Sequence, residues 1–257
     1  MTLPQANFSI DLTGQAALVT GASSGLGLRF AQILARCGAK VALAARRLDR
    51  LEKIAEDIRA DGGEAVPLET DVTQTDQLFQ AMSKAHAALG PITILVNNAG
   101  IPDGQRAIKM PVELIDRVLD INVRAPYILS CEFARRLIDA RLPGRIVNIS
   151  SSIAFDYGGN GSALYSISKA AVIRMTEALA VEWARHNINV NAIAPGAFAS
   201  EMMDGLLERV GDITKGFPRQ RLGNPAQLDS TLLYLVSPSS EFVTGTYIRV
   251  DDGQHHR

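Results

Sequence analysis

Short apolar runs alternate with longer amphipathic stretches along the 257-residue chain, a pattern that predicts strands and helices in turn. Ala16–Thr20 reads as a buried strand that enters a glycine-rich turn and a helix reaching Cys37. The strand pattern recurs at Val41–Ala45, Ala65–Glu69, Ile92–Val96, Arg145–Ser150, Ile188–Ile193 and Tyr247–Val250. Helices are predicted over Asp49–Asp61, Thr73–Leu89, Val112–Val118, a long stretch running past Asn122 to Ala140, Ser162–His186 and Pro225–Val236. After Pro195-Gly196 the pattern blurs, so Ala197–Phe217 is expected to be irregular and to act as a substrate lid. Strands apolar on both faces and joined by helices belong in a parallel sheet covered on each side. With right-handed crossovers, the expectation is an α/β, doubly wound (Rossmann-like), mostly parallel seven-stranded sheet with helices on both faces. Its strand order would be 3-2-1-4-5-6 plus an added edge strand. No linker, repeat or low-complexity segment divides residues 1–257, so one domain is expected.

The first strand runs into Thr20-Gly21-Ala22-Ser23-Ser24-Gly25-Leu26-Gly27. Glycines there let the backbone turn sharply and approach a pyrophosphate, while the following helix offers free N–H groups and its positive dipole end. The spacing is G-x-x-x-G-x-G, not the commoner G-x-G-x-x-G, and it lacks the Lys-Ser/Thr of a P-loop. In isolation such a turn is equally a plain structural one; the strand–turn–helix context favours a dinucleotide. No acidic residue occurs between Leu12 and Leu48 to accept from an adenosine 2′-hydroxyl, and the second strand ends in Arg46-Arg47. Guanidinium groups suit a 2′-phosphate, so NADP(H) is favoured with NAD(H) possible, unless both arginines merely cap the strand in solvent.

Tyr165 and Lys169 stand four apart in a predicted helix and share a face. A fixed ammonium beside a phenol favours the phenolate, which makes Tyr165 a candidate proton donor and acceptor near neutral pH. Ser152 follows the fifth strand, at the edge where ligands of such sheets collect, and its hydroxyl can hold a carbonyl or alcohol oxygen. A Tyr-x-x-x-Lys pair alone is usually a surface contact; its combination with Ser152 and the glycine turn changes that reading.

Composition narrows the classes. With 47% hydrophobic and 21% charged residues and a net charge of −1, the chain is neither disordered nor marked for nucleic acid or an anionic membrane. It has no 18-residue apolar stretch, and its start, MTLPQANFSIDLTGQ, lacks the basic and apolar regions of a signal peptide. Cys37 and Cys131 make no disulfide framework, so a reducing cytoplasm is expected. His86 and His186 have no partner at metal-ligand spacing, and no metal is expected.

The ordered set of the glycine turn, Asn97-Asn98-Ala99-Gly100, Asn122 in Asp-Ile-Asn-Val, Ser152 thirteen residues before Tyr165, Lys169 and Pro195-Gly196 resembles the short-chain dehydrogenase/reductase family in its compact form, over nearly the whole chain. The resemblance implies hydride exchange between a nicotinamide cofactor and a carbonyl/alcohol pair. Tyr165 would be the acid/base and Ser152 would position the substrate oxygen. Lys169 would lower the tyrosine's pKa while bonding the nicotinamide ribose, and Asn122 would hold a water leading from Lys169 towards solvent. Gly21, Ser23, Ser24, Gly25, Leu26 and Gly27 would cradle the cofactor, with Arg46 and Arg47 at its ribose end. Asp71 and Val72 would border the adenine, and Asn98, Ala99 and Gly100 the adenosine ribose. Pro195, Gly196 and Ser200 would contact the nicotinamide amide. Ser150 and Ser151 adjoin Ser152, so that assignment rests on spacing and slips if the loop carries an insertion.

Two departures stand out. Many NADP-preferring relatives carry a basic residue where this turn has Ser24, and the family's usual Val-Asp-Gly-Gly appears as Val250-Asp251-Asp252-Gly253. The resemblance also implies a homotetramer. A 3-oxoacyl-thioester reductase is the main alternative within the family, and a nonredox nucleotide sensor or scaffold the alternative outside it.

Overall fold

Mostly apolar runs of four to eight residues supply the sheet, because burial on both faces favours apolar side chains at most positions. The computed structural model describes residues 10–159 and 161–254. The strands are β1 (Ala16–Thr20), β2 (Lys40–Ala45), β3 (Ala65–Glu69), β4 (Ile94–Asn97), β5 (Gly144–Ile149), β6 (Ile188–Pro195) and β7 (Tyr247–Val250). They form one sheet in the order β3-β2-β1-β4-β5-β6-β7, and every pairing is parallel. The expectation of a mostly parallel sheet is thus sharpened, since the added strand β7 also runs parallel to β6. Pro67 lies in β3, at the sheet edge, where a missing N–H costs no ladder bond on the open side.

The helices are α1 (Gly25–Arg36), α2 (Leu48–Ala60), α3 (Thr75–Leu89), α4 (Val112–Leu119), α5 (Ala125–Ala140), α6 (Ala163–Trp183), α7 (Glu201–Val210) and α8 (Asp229–Val236). Successive strand residues point to opposite faces, so each strand feeds two cores. Ala17, Val19, Val41 and Leu43 meet Phe30 and Leu34 of α1, Leu51 of α2 and Leu232 of α8. Leu18, Ala42, Leu95 and Ile146 meet Leu78 of α3, Phe133 of α5 and Leu179 of α6.

Two elements differ from the sequence reading. Asp120–Arg124 forms a π-helical turn between α4 and α5, so Asn122 sits in a break and not in a continuous helix. Such widened turns free a residue to face inward, and Asn122 is buried. The stretch expected to be irregular contains the ten-residue helix α7, capped by the Ser200 hydroxyl, which accepts from the Met203 N–H at 3.2 Å. Because every strand runs in the same direction, each βα turn falls at the carboxyl edge of the sheet. There the order reverses between β1 and β4, opening a cleft.

Candidate active site

At the end of β1 the glycine turn is held by residues from β4. The Thr20 hydroxyl accepts from the N–H groups of Asn98 and Ala99 at 3.0 and 3.1 Å, and the Asn98 amide donates to the carbonyls of Thr20 and Gly21 at 3.0 and 3.3 Å. A Cβ on Gly21 would lie 2.8 Å from the Asn98 amide nitrogen, and one on Gly27 only 2.3 Å from the Gly21 carbonyl oxygen. Gly21 and Gly25 adopt left-handed φ angles of 66° and 55°. Backbone is therefore packed tightly at the start of α1, and the bare N–H end of that helix faces the cleft, the arrangement a pyrophosphate requires.

Of the two arginines after β2, Arg46 is exposed, whereas Arg47 folds back over the turn. Its guanidinium donates to the Ser24 hydroxyl at 2.8 Å and to the Ser23 hydroxyl at 3.0 and 3.2 Å. The positive charge that the sequence lacks at position 24 is delivered there from position 47. Asp71 accepts from the N–H and hydroxyl of Thr73, at 3.0 and 2.8 Å, which shapes the loop after β3. Val72 packs against the core under α3 and α5.

On the other side of the switch point, α6 presents Tyr165 and Lys169. The buried Lys169 ammonium donates to the Ile149 carbonyl at 2.9 Å and lies 5.6 Å from the Tyr165 ring centre. Beside them, the Asn122 amide oxygen accepts from the Ile101 N–H at 2.9 Å, and its nitrogen donates to the Ile101 carbonyl and the Ser168 hydroxyl, each at 3.0 Å. A Cβ on Gly100 would come within 3.3 Å of the Lys169 ammonium and 3.4 Å of the Asn122 oxygen, so this glycine leaves the gap between them.

The serine assignment needs correction. Ser152 is buried, at 1% exposure, because it opens the 3₁₀ turn Ser152–Ala154 that folds its side chain inward. The serine hydroxyl that acts on the Tyr165 phenol, favouring its ionised form, is that of Ser151. Ser150, the third candidate, donates instead to the Lys169 carbonyl at 2.8 Å.

Burial, not Lys169, sets the direction of the tyrosine's shift here. Burial pushes the Tyr165 hydroxyl up to about 12; the Ser151 hydroxyl opposes the rise and the Asp103 carboxylate adds to it. Burial likewise pushes the Lys169 ammonium down to about 8. Desolvation outweighs the pairing that the four-residue spacing suggested.

Asp103 escaped the sequence reading. This buried carboxylate accepts from the Leu164 and Tyr165 N–H groups at 2.9 and 3.1 Å, and from the Gly104 N–H at 2.6 Å. It caps the helix that carries the tyrosine from 62 residues upstream. Its signal, an isolated Asp in Ile101–Met110, has no periodicity to reveal a partner so distant.

At the end of β6, the Gly196 N–H donates to the Val250 carbonyl at 2.9 Å, and a Cβ there would meet Gln254 at 2.3 Å. Pro195 closes β6 opposite Val250. Ser200 caps α7, and a Cβ on Gly25 would lie 3.3 Å from its side chain, so the start of α7 rests on the glycine turn. Asp252, where the family resemblance leads to the expectation of glycine, adopts φ 53°, and its carboxylate accepts from Arg221 at 2.8 Å. That left-handed backbone explains the usual glycine, and the ion pair shows what the aspartate adds.

Comparison with known proteins decides the family. A family model described as short chain dehydrogenase matches residues 15–210. The chain belongs to that family. Among curated relatives of this short-chain dehydrogenase, gluconate 5-dehydrogenase of Gluconobacter oxydans is 37% identical over 251 residues, covering 95% of each chain. A 3-oxoacyl-acyl-carrier-protein reductase of Rickettsia bellii is 36% identical, over 95% of this chain and 98% of its own. A variant of the actinorhodin polyketide ketoreductase, solved with NADPH, superposes with a TM-score of 0.89 at 31% identity, over 93% of this chain and 97% of that one. The short-chain dehydrogenase is accordingly an oxidoreductase acting on alcohol and carbonyl groups. Among the described residues, no helix is long and apolar enough to cross a membrane, and no group of three potential ligands gathers for a metal.

Proposed function

We propose that this short-chain dehydrogenase exchanges hydride between NADP(H) and a ketone or secondary alcohol, with Tyr165 as acid/base and Ser151 as holder of the substrate oxygen. The observation that carries the reading is the Tyr165 phenol set between the Ser151 hydroxyl and the Lys169 ammonium, across the cleft from the glycine turn. The cofactor supplies the hydride; the chain supplies orientation and a proton. Gly21, Ser23, Ser24, Gly25, Leu26 and Gly27 would hold the pyrophosphate, and Arg47, with Arg46 alongside, the 2′-phosphate. Asp71 and Val72 would border the adenine, and Asn98, Ala99 and Gly100 the ribose beside it. Pro195, Gly196 and Ser200 would line the nicotinamide end. In reduction, Ser151 and Tyr165 fix the carbonyl oxygen, and the Tyr165 phenol gives up its proton as the alcohol forms. Lys169 stabilises the resulting phenolate, and Asn122, between Ile101 and Ser168, holds the route by which the proton is restored.

Around this centre, Phe155 stacks on Tyr247 with ring centres 4.9 Å apart, and Met202 is exposed on α7. Phe198, in the stretch expected as a lid, is buried beside Gly223. This apolar mouth favours a second reading, a 3-oxoacyl thioester substrate. A nonredox role leaves the Tyr165–Lys169 pair without a purpose. A cytoplasmic homotetramer is part of the proposal, supported by Ile167 and Val181 of α6 and Tyr127 of α5, which stand exposed by 62, 82 and 50%. The test is Tyr165→Phe. It should bind NADPH as the unchanged chain does while turnover of any accepted ketone falls by about 10²–10⁴-fold. Retained turnover would remove Tyr165 from the reaction.

A further inference from the structure

The first turn of α7 carries a carboxylate that reaches back across the cleft mouth. Glu201 accepts from Arg47 at 2.9 Å through one oxygen and from Arg50 through the other. Both arginines come from the segment following β2, and Arg47 is the residue whose guanidinium lies on Ser23 and Ser24. A carboxylate forked between two guanidinium groups occupies the kind of site that receives a phosphate monoester. All three side chains are partly open to solvent, at 39, 46 and 52% for Arg47, Arg50 and Glu201, so an incoming anion can reach them. The two arginines hold Glu201 ionised down to about 2, so its charge is fixed at any pH the enzyme works in.

We infer that Glu201 is a cofactor-discriminating residue: its carboxylate stands in, on Arg47 and Arg50, for the 2′-phosphate that distinguishes NADP(H) from NAD(H). The inference rests on the proposed nucleotide-binding role of the glycine turn and Arg47. With a cofactor lacking the 2′-phosphate, Glu201 stays in place and neither arginine loses its partner. A cofactor bearing it brings about two negative charges to the same pair, and the more highly charged phosphate displaces the carboxylate. Glu201 therefore weakens binding of the phosphorylated cofactor and spares the other. It narrows a preference that Arg47 creates, and so admits both. Because Glu201 opens α7 while Arg209 near its other end donates to the Gly104 carbonyl at 3.1 Å, the displacement frees only the end of the helix that rests on the glycine turn.

The test is Glu201→Gln in the full chain, with dissociation constants for NADPH, NADH, 2′,5′-ADP and 5′-AMP measured by calorimetry at low and moderate salt. Glu201→Gln should tighten NADPH and 2′,5′-ADP by about three- to tenfold and change NADH and 5′-AMP less than twofold, the gain shrinking as salt rises. A wild-type chain that prefers 2′,5′-ADP to 5′-AMP, with a preference that Glu201→Gln leaves unchanged or reduces, overturns the role of Glu201 alone. A wild-type chain that binds 2′,5′-ADP no better than 5′-AMP overturns the 2′-phosphate pocket itself, and this inference with it.

Discussion

At the scale of single residues, a serine hydroxyl, a phenol and a carboxylate decide the chemistry. Ser151 and Ser152 are neighbours with opposite fates, one at the Tyr165 phenol and one sealed in the core. Ser151→Ala should lower kcat by about a hundredfold or more, the usual loss when a donor to a developing oxyanion is removed. Ser152→Ala should leave turnover within a few-fold; steady-state kinetics of the two variants separate the assignments. Asp103 acts on the same phenol through charge. A nearby carboxylate disfavours the phenolate and raises the tyrosine's pKa, so Asp103→Asn should lower it. Alcohol oxidation needs the deprotonated tyrosine, so its kcat/KM should climb with pH, and the climb should begin at lower pH in Asp103→Asn. Ketone reduction needs the proton and should fade earlier on the alkaline side in the same variant. A pH profile unmoved by the substitution would reduce Asp103 to a helix cap.

At the scale of elements, the glycine turn and α7 show what the sequence reveals and what it hides. The turn was legible because its glycines, its strand and its helix are contiguous in the chain, and contact geometry then explains each glycine. Gly27→Ala would push a methyl group against the Gly21 carbonyl. It should cost about 1–3 kcal/mol and weaken NADPH binding along with it, which paired thermal unfolding and titration would register. A central parallel position was legible for the same local reason: runs such as Ala16–Thr20 are apolar but for a terminal threonine and are buried along their whole length. Helix α7 was hidden by its interior Gly205 and its flanking loops, although its signals were present. Ser200 precedes it, Glu201 and Asp204 fall in its first turn, and Arg209 and Gly211 close it. Ser151 was hidden because counting back from Tyr165 cannot sense the 3₁₀ turn that rotates Ser152 inward. Asp103 and Glu201 were hidden because their partners lie 61 and 154 residues away, a distance no periodicity bridges.

For the molecule as a whole, the parallel sheet gathers the glycine turn, Arg47, Asn98, Ser151 and Gly196 at one edge, although they are scattered over most of the chain. Apolar surface is instead left open on α5 and α6, where Val181 is 82% exposed. Val181→Glu should lower the mass seen by light scattering from that of a tetramer and leave NADPH affinity within a few-fold. A wild-type monomer at micromolar concentration would contradict the assembly. The central claim is that the cleft between the glycine turn and Tyr165 binds a phosphorylated dinucleotide for hydride transfer. Titration of the full chain with NADPH and with NADH, followed by the reduced nicotinamide's own fluorescence, tests it most directly. The account predicts saturable binding of both, with NADPH the tighter; binding of neither, or a clear preference for NADH, would contradict it.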